Sequence, residues 1–298
     1  MTVLQTKDLS KNYGQVTALS GLNLSVQQGD VLGILGPNGS GKTTTLSIVL
    51  NAIWASSGSY QWFGNQPSSQ SLKRVGALLE SPIFFPNLTA IQNLDIIGHI
   101  RGVKDRNYDD ILYMVDLYDR RNHKFSSYSL GMKQRLAIAS VMLGSPEVMI
   151  FDEPTNGLDP KGIVDIRNIL VGLAQSGKTI ILASHILDEV EKICTQLAIL
   201  NQGKLLAHGH ISDILVAKPI LELSAANNDL LLDWIQRLPG YRRHLRIGER
   251  FQVFFDKVDQ GLDINEHAHR AGHSLTHFQW IQPKLEDAYL KIIENGRV

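Results

Sequence analysis

The apolar residues of this chain fall into short unbroken runs that alternate with longer stretches of helical periodicity. Val31–Leu35 is an apolar run closed by Gly36-Pro37, the pattern of a buried strand stopped by a turn. Val3–Thr6 and Leu22–Val26 read as earlier strands. From Thr43 to Trp54, Leu46, Val49, Leu50 and Ile53 recur on one side, which predicts a helix. The stretch from about Leu88 to Leu143 reads as mostly helical, with helices over Asp109–Tyr118 and Met132–Leu143. Strand and helix then alternate: Val148–Phe151, Lys161–Gln175, Thr179–Ala183, Leu187–Cys194. Leu197–Leu200 and Lys204–Ala207 flank Asn201-Gln202-Gly203 and predict a hairpin. Such alternation implies a mainly parallel sheet.

The pattern restarts near Ala217-Lys218-Pro219. Strands are expected over Ile220–Leu223, Tyr241–Ile247, Phe251–Phe255 and Leu275–Ile281. Helices are expected over Asp229–Leu238, around Leu262–Ala271, and over Lys284–Glu294. The order β-α-β-β-α-β-α matches a ferredoxin-like module with one extra helix. Two domains are therefore expected, 1–217 and 218–298, in keeping with about 150 residues per domain.

Composition narrows the classes. Apolar residues make up 43% of the 298 residues and charged residues 19%, the mix of a soluble globular protein. Lys plus Arg and Asp plus Glu both number 29. That balance argues against nucleic acid held by bulk charge, and no nucleic-acid partner is expected. Cys194 is the one cysteine, so no intrachain disulfide forms, which fits a reducing compartment. Met1–Gly14 has no apolar core of a secretory signal, and no run reaches the ~18 apolar residues of a membrane span. Any membrane role is expected to come through a partner. His267, His269, His273 and His277 crowd one segment, and Arg242, Arg243, Arg246 and Arg250 another; both read as solvated surface.

Gly36-Pro37-Asn38-Gly39-Ser40-Gly41-Lys42-Thr43 fits the phosphate-loop pattern G-x-x-x-x-G-K-[ST] and stands between a predicted strand and a predicted helix. Glycines let backbone N–H groups approach phosphate, and the helix start adds positive potential. Lys42 is expected on the β- and γ-phosphates and the Thr43 hydroxyl on Mg²⁺; Thr44 completes the nucleotide-contacting run. Val148–Phe151 ends in Asp152-Glu153, two acids at the tip of a buried strand. Such acids are costly unless a cation awaits them. If that strand lies beside the one feeding the loop, Asp152 serves Mg²⁺ and Glu153 sits near the attacking water.

Further motifs make the chain recognisable. Tyr128-Ser129-Leu130-Gly131-Met132-Lys133-Gln134-Arg135-Leu136 resembles the signature motif of ABC ATPases. Phe151-Asp152-Glu153-Pro154-Thr155-Asn156-Gly157-Leu158-Asp159-Pro160 resembles their Walker B and D-loop run. Ser184-His185 resembles their switch histidine, and Tyr13 their adenine-stacking aromatic. The motifs occur in family order across residues 1 to about 217. Glu80 and Pro86-Asn87-Leu88-Thr89, with the signature variant, resemble the bacitracin-resistance and lantibiotic-immunity branch. Pro283-Lys284-Leu285-Glu286-Asp287-Ala288-Tyr289-Leu290 resembles the end of the accessory module on such ATPases.

The resemblance implies an α/β P-loop NTPase fold of ABC type, with antiparallel β and helical subdomains, plus a small C-terminal α+β domain. It implies ATP and Mg²⁺ as ligands and a head-to-tail pair of nucleotide-binding subunits, a homodimer in the simplest case. Glu153 and His185 would be catalytic. Ser129 and Gly131 would contact the γ-phosphate bound by the opposite subunit, and Asp159 would join the nucleotide-contacting set. Separate permease subunits would hold the chain at the cytoplasmic face of the membrane. The family usually has Gln where Glu80 stands, and Gly and Gln where Leu130 and Met132 stand. The substrate would be an antibiotic peptide or lipid-like molecule; lipid or polysaccharide export, or a soluble non-transport ATPase, are the alternatives.

Overall fold

The chain opens with two long antiparallel strands, β1 (Thr2–Tyr13) and β2 (Val16–Gln27). They run well past the expected Val3–Thr6 and Leu22–Val26. Polar Asp8, Ser10, Lys11 and Asn12 end the hydrophobic alternation, but backbone pairing continues through a register shift between Thr6 and Leu9. Asp8 takes a left-handed φ of 49° there, as in a β-bulge. β3 (Val31–Leu35) is buried throughout. The unforeseen β4 (Ser57–Trp62) pairs with β1 and completes a three-stranded sheet in the order β2-β1-β4. Its polar Ser-Gly-Ser start hides it from hydrophobicity. Gly58 is required: its φ is +82°, and a Cβ would meet the Asp8 carbonyl oxygen at 2.3 Å.

The computed structural model describes residues 1–79, 84–104, 107–215, 220–256, 263–281 and 284–295. Two compact units emerge, residues 1–211 and 212–297. In the first, α1 (Lys42–Val49) follows β3 and stops short of the expected Trp54. Asn51 takes a left-handed φ of 59°, and Trp54 is 81% exposed. After α2 (Ser69–Leu72), β5 (Val75–Leu78) enters the main sheet. The helical region contains α3 (Ala90–Ile100), α4 (Tyr108–Met114) and α5 (Leu130–Met142). α4 ends before the expected Tyr118, ahead of Asp116 at φ 53°. α5 starts ahead of the expected Met132 because Ser129 caps it, accepting the Met132 N–H at 3.3 Å.

β6 (Val148–Asp152), α6 (Pro160–Gln175), β7 (Thr179–Ser184) and α7 (Leu187–Ile193) follow. β8 (Gln196–Asn201) and β9 (Lys204–His210) form the expected hairpin. The six-stranded sheet has the order β5-β6-β7-β3-β8-β9, parallel except for β9. β3, β6 and β7 are buried at every position, as a sheet covered on both faces requires. The expectation that β6 lies beside β3 is corrected here: β7 separates them. α7 lies against β3 at Gly33, where a Cβ would come 2.5 Å from Val190 Cγ1 and 3.1 Å from Cys194 Sγ. Cys194 is buried, and burial pushes its thiol pKa up.

The short α8 (Ile211–Ile214) spans the division between units. The second unit holds β10 (Ile220–Ala225), α9 (Asn228–Ile235), β11 (Tyr241–Ile247), β12 (Arg250–Phe255), α10 (Ile264–Arg270), β13 (Leu275–Ile281) and α11 (Leu285–Asn295). Its strands pair antiparallel in the order β11-β12-β10-β13, the ferredoxin-like arrangement. Leu221, Leu223, Trp234, Phe251 and Val253 share its core. The sequence boundary at 217/218 falls outside the described residues. Among the described residues, no helix is long and apolar enough to cross a membrane.

Trp62 is fully buried and donates its indole N–H to the Val49 carbonyl at 2.7 Å, tying β4 to the end of α1. Trp62→Ala is expected to lower folding stability by ~3–5 kcal/mol, the usual cost of truncating a buried aromatic. Urea unfolding of both proteins measures it; an unchanged midpoint would refute the role of this side chain.

Candidate functional site

The phosphate loop is built where β3 gives way to α1. Gly39 and Gly41 take φ of 79° and 106°, backbone that L side chains rarely adopt. A Cβ on Gly36 would strike the Leu200 carbonyl at 2.3 Å, and one on Gly41 the Ala18 carbonyl at 2.7 Å. The loop is therefore wedged against β8 and β2. The Gly203 N–H reinforces this by donating to the Ser40 carbonyl at 3.0 Å. Pro37, Asn38 and Gly39 are exposed at the loop's crest, whereas Ser40 and Lys42 are buried. The Ser40 hydroxyl has no hydrogen-bond partner among the described residues. Thr43 is exposed and Thr44 half-buried in the first turn of α1.

Lys42 donates to the carbonyls of Gly36 at 2.8 Å and Pro37 at 3.3 Å. Its ammonium also lies 3.3 Å from Glu153 Oε1. The Thr43 hydroxyl donates to Asp152 Oδ2 at 2.7 Å. β6 thus reaches the loop even though β7 intervenes. Asp152 ends β6, and Glu153 turns the chain with a left-handed φ of 48°. The two adjacent carboxylates accordingly meet different partners. His185, just past β7, places Nδ1 2.8 Å from Glu153 Oε2. Lys42, Thr43, Asp152, Glu153 and His185 are brought together as one connected cluster.

Sequence reasoning missed what lies behind it. The Thr155 hydroxyl donates to Glu189 Oε2 at 2.7 Å, and both residues are almost wholly buried, at 2% and 1% exposed. Burial pushes the Glu189 carboxyl above the ordinary range, while Thr155 and nearby Arg167 pull it back. One signal was present: a glutamate one helical turn beyond His185, close to a strand end.

Ser129 and Gly131 stand elsewhere, at the start of α5. With Gly157, Leu158 and Asp159 they line a depression of about 440 Å³. Asp159 caps α6, its Oδ1 accepting the Gly162 N–H at 2.9 Å. Tyr13 is half exposed at the tip of the β1–β2 hairpin, with the Lys11 ammonium 5.0 Å from its ring centre. Glu80 lies outside the described residues. The aromatics that follow it divide: Phe84 is buried, its ring centre 5.0 Å from that of Phe125, whereas Phe85 is 56% exposed.

A family model described as ABC transporter matches residues 19–156. The bacitracin transport ATP-binding protein BcrA of Enterococcus faecalis is 33% identical over 301 residues, covering 99% of this chain and 98% of its own. The lantibiotic transport ATP-binding protein SrtF of Streptococcus pyogenes is 36% identical, covering 68% of this chain and 89% of its own. A solved structure of an ATP-binding subunit of an ABC transporter superposes with a TM-score of 0.64 at 28% identity. It covers 72% of this chain and 92% of that one.

The buried carboxyl has a consequence for stability. An acid whose pKa is higher in the folded chain favours folding below its unfolded value, and the benefit fades as pH rises through the folded value. Glu189→Gln cannot ionise. Its stability is therefore expected to rise relative to the parent as pH climbs from the ordinary glutamate value of about 4.3. Urea midpoints of both proteins from about pH 4 to about pH 8 test this; parallel pH profiles would refute it.

Proposed function

Because the chain belongs to the ABC transporter family, as a subunit that binds and hydrolyses ATP, we propose that it energises export of an antibiotic peptide or lipid-like substrate. Separate permease subunits would span the membrane and hold it at the cytoplasmic face. The observation that carries the hydrolytic reading is the convergence of Lys42, Glu153 and His185 beside the phosphate loop.

In this reading Lys42 meets the β- and γ-phosphates. Its ammonium already lies against Glu153, so phosphate competes for the same cation. Winning that competition leaves the Glu153 carboxylate to take a proton from the attacking water. His185 holds the other Glu153 oxygen and keeps the carboxylate aimed. Thr43 and Asp152 present a hydroxyl and a carboxylate 2.7 Å apart, hard oxygen donors that fit Mg²⁺. When bound, that ion would neutralise charge on the phosphate oxygens. The buried Ser40 hydroxyl, without a hydrogen-bond partner among the described residues, fits a polar ligand in the loop. Tyr13 would stack on adenine from the hairpin tip.

Ser129 and Gly131 open a helix, where free N–H groups favour an anion. Their depression is lined by α5, Asp159 and neighbouring residues, without any residue of the phosphate loop. That separation supports a site completed by a second copy, one chain giving the loop and the other the start of α5. Closure of the pair on ATP would then bias the permease between states by differential affinity.

Glu153→Gln is expected to keep ATP binding and lower turnover by roughly 10²–10⁴, the usual worth of a general base. Steady-state hydrolysis beside nucleotide binding reads both; parent-rate turnover removes Glu153 from its role. The shared site has its own test. Ser129→Arg and Lys42→Ala proteins, each inactive alone, are expected to regain activity when mixed, since one site in the mixed pair carries neither change. Mixtures as inactive as their components, together with a monomer at every ATP concentration, would overturn the two-copy arrangement.

A further inference from the structure

We propose that Glu189 is a positioning residue: through its buried hydrogen bond to Thr155 it fixes Glu153 and His185 relative to each other. The inference rests on the reading of those two residues as the hydrolytic pair. Thr155 comes two residues after Glu153, in a turn closed by the Asn156 N–H on the Glu153 carbonyl at 3.2 Å. The Leu158 N–H closes it further on the Thr155 carbonyl at 3.2 Å. Glu153 sits at a left-handed φ of 48°, so a small rotation of this turn swings its carboxylate. Glu189 lies four residues after His185, in the first turn of α7. That helix is anchored by the Ile186 N–H on Ser184 Oγ at 3.0 Å. The Thr155–Glu189 bond therefore closes a ring of contacts whose opposite side is the His185–Glu153 bond of 2.8 Å.

Fastening alone does not call for this pair. Glu189 Oε1 is buried with no hydrogen-bond partner among the described residues. An apolar contact would join α7 to the turn without that desolvation. What the carboxyl adds is a fixed direction and distance, because an O–H···O bond tolerates little misalignment. Arg167 on α6 bears on the same corner, its Nη2 3.2 Å from Asp188 Oδ2. Catalytic geometry is sensitive at this scale: a misplacement of about 1 Å costs on the order of 10²-fold in rate.

The test uses the full chain and ATP hydrolysis. Thr155→Val keeps the shape and removes the hydroxyl; Thr155→Ser keeps the hydroxyl. Thr155→Val and Glu189→Ala are expected to lower kcat by about tenfold or more, with KM for ATP within about twofold, as lost alignment predicts. Thr155→Ser and Glu189→Gln retain donor and acceptor and are expected to stay within about threefold of the parent. The Thr155→Val/Glu189→Ala double variant is expected to fall no further than the worse single one, because both changes remove one bond. Thr155→Val at the parent kcat, Thr155→Ser as impaired as Thr155→Val, or additive losses would each overturn the proposal. Should Glu189→Ala fail to fold, the Thr155 pair decides. Glu153→Gln run alongside separates the two readings. Parent-rate hydrolysis there removes the hydrolytic assignment itself. An inactive Glu153→Gln beside a fully active Thr155→Val removes only the positioning role.

Discussion

Lys42 carries its ammonium into the first unit with 5% of the residue exposed, and a cation so placed must be met by oxygen. The carbonyls of Gly36 and Pro37 meet it from the loop, and Glu153 meets it from the end of β6. This requirement sets the path of the loop, which has to curl back over its own lysine. It also explains why the loop is glycine-rich at the points where β8 and β2 press against it, since Leu200 and Ala18 leave no room for a Cβ. Backbone carbonyls from outside the motif, those of Leu200 and Ala18, thus help to fix the loop.

The same requirement organises the acids. Asp152 completes β6 opposite Ala183 of β7, with its carboxylate on Thr43. One residue later the backbone enters the left-handed region, a departure of the kind that costs a non-glycine residue on the order of 1 kcal/mol. It persists because several bonds fix it: the Glu153 N–H on the Ala183 carbonyl at 2.9 Å, the Lys42 ammonium and His185. Two neighbouring carboxylates are thereby separated into two environments, one toward a hydroxyl and one toward a lysine and a histidine. Strain at this point is matched by a buried bond behind it, between Thr155 and Glu189.

The second unit follows a different economy of contacts. Its sheet packs one face with Leu221, Leu223, Phe251 and Val253, and the alternate positions carry polar groups. There Glu222 is flanked by Arg250 at 2.9 Å, Gln252 at 3.1 Å and His277 at 3.0 Å. Hydrogen bonds from Gln252 and Arg250 hold its carboxyl below the ordinary range. Two features that read as solvated surface in the sequence, the histidines and the arginines, are partly committed to internal contacts. His267 accepts the Trp234 indole N–H at 3.2 Å, and Arg243 lies 3.9 Å from the Phe254 ring centre.

Local pattern alone determined a good deal: the all-buried strands β3, β6 and β7, the loop between strand and helix, the two acids at the end of β6, and the β-α-β-β-α-β order of the second unit. These are legible because each depends on neighbours within a few residues, on period, run length and turn chemistry. Motif order added the family, and with it the residues to watch. Strand order was not legible; β7 between β6 and β3 is a choice among topologies that the same runs allow. β4 was invisible because its strand character comes from pairing with β1, not from its own polar residues. The bulged continuation of β1 past Thr6 is of the same kind. The Thr43–Asp152 and Thr155–Glu189 bonds join positions 109 and 34 residues apart. Only the tertiary structure decides such contacts, because a side chain's partner across a sheet is set by strand order and register, which no local window of the sequence contains.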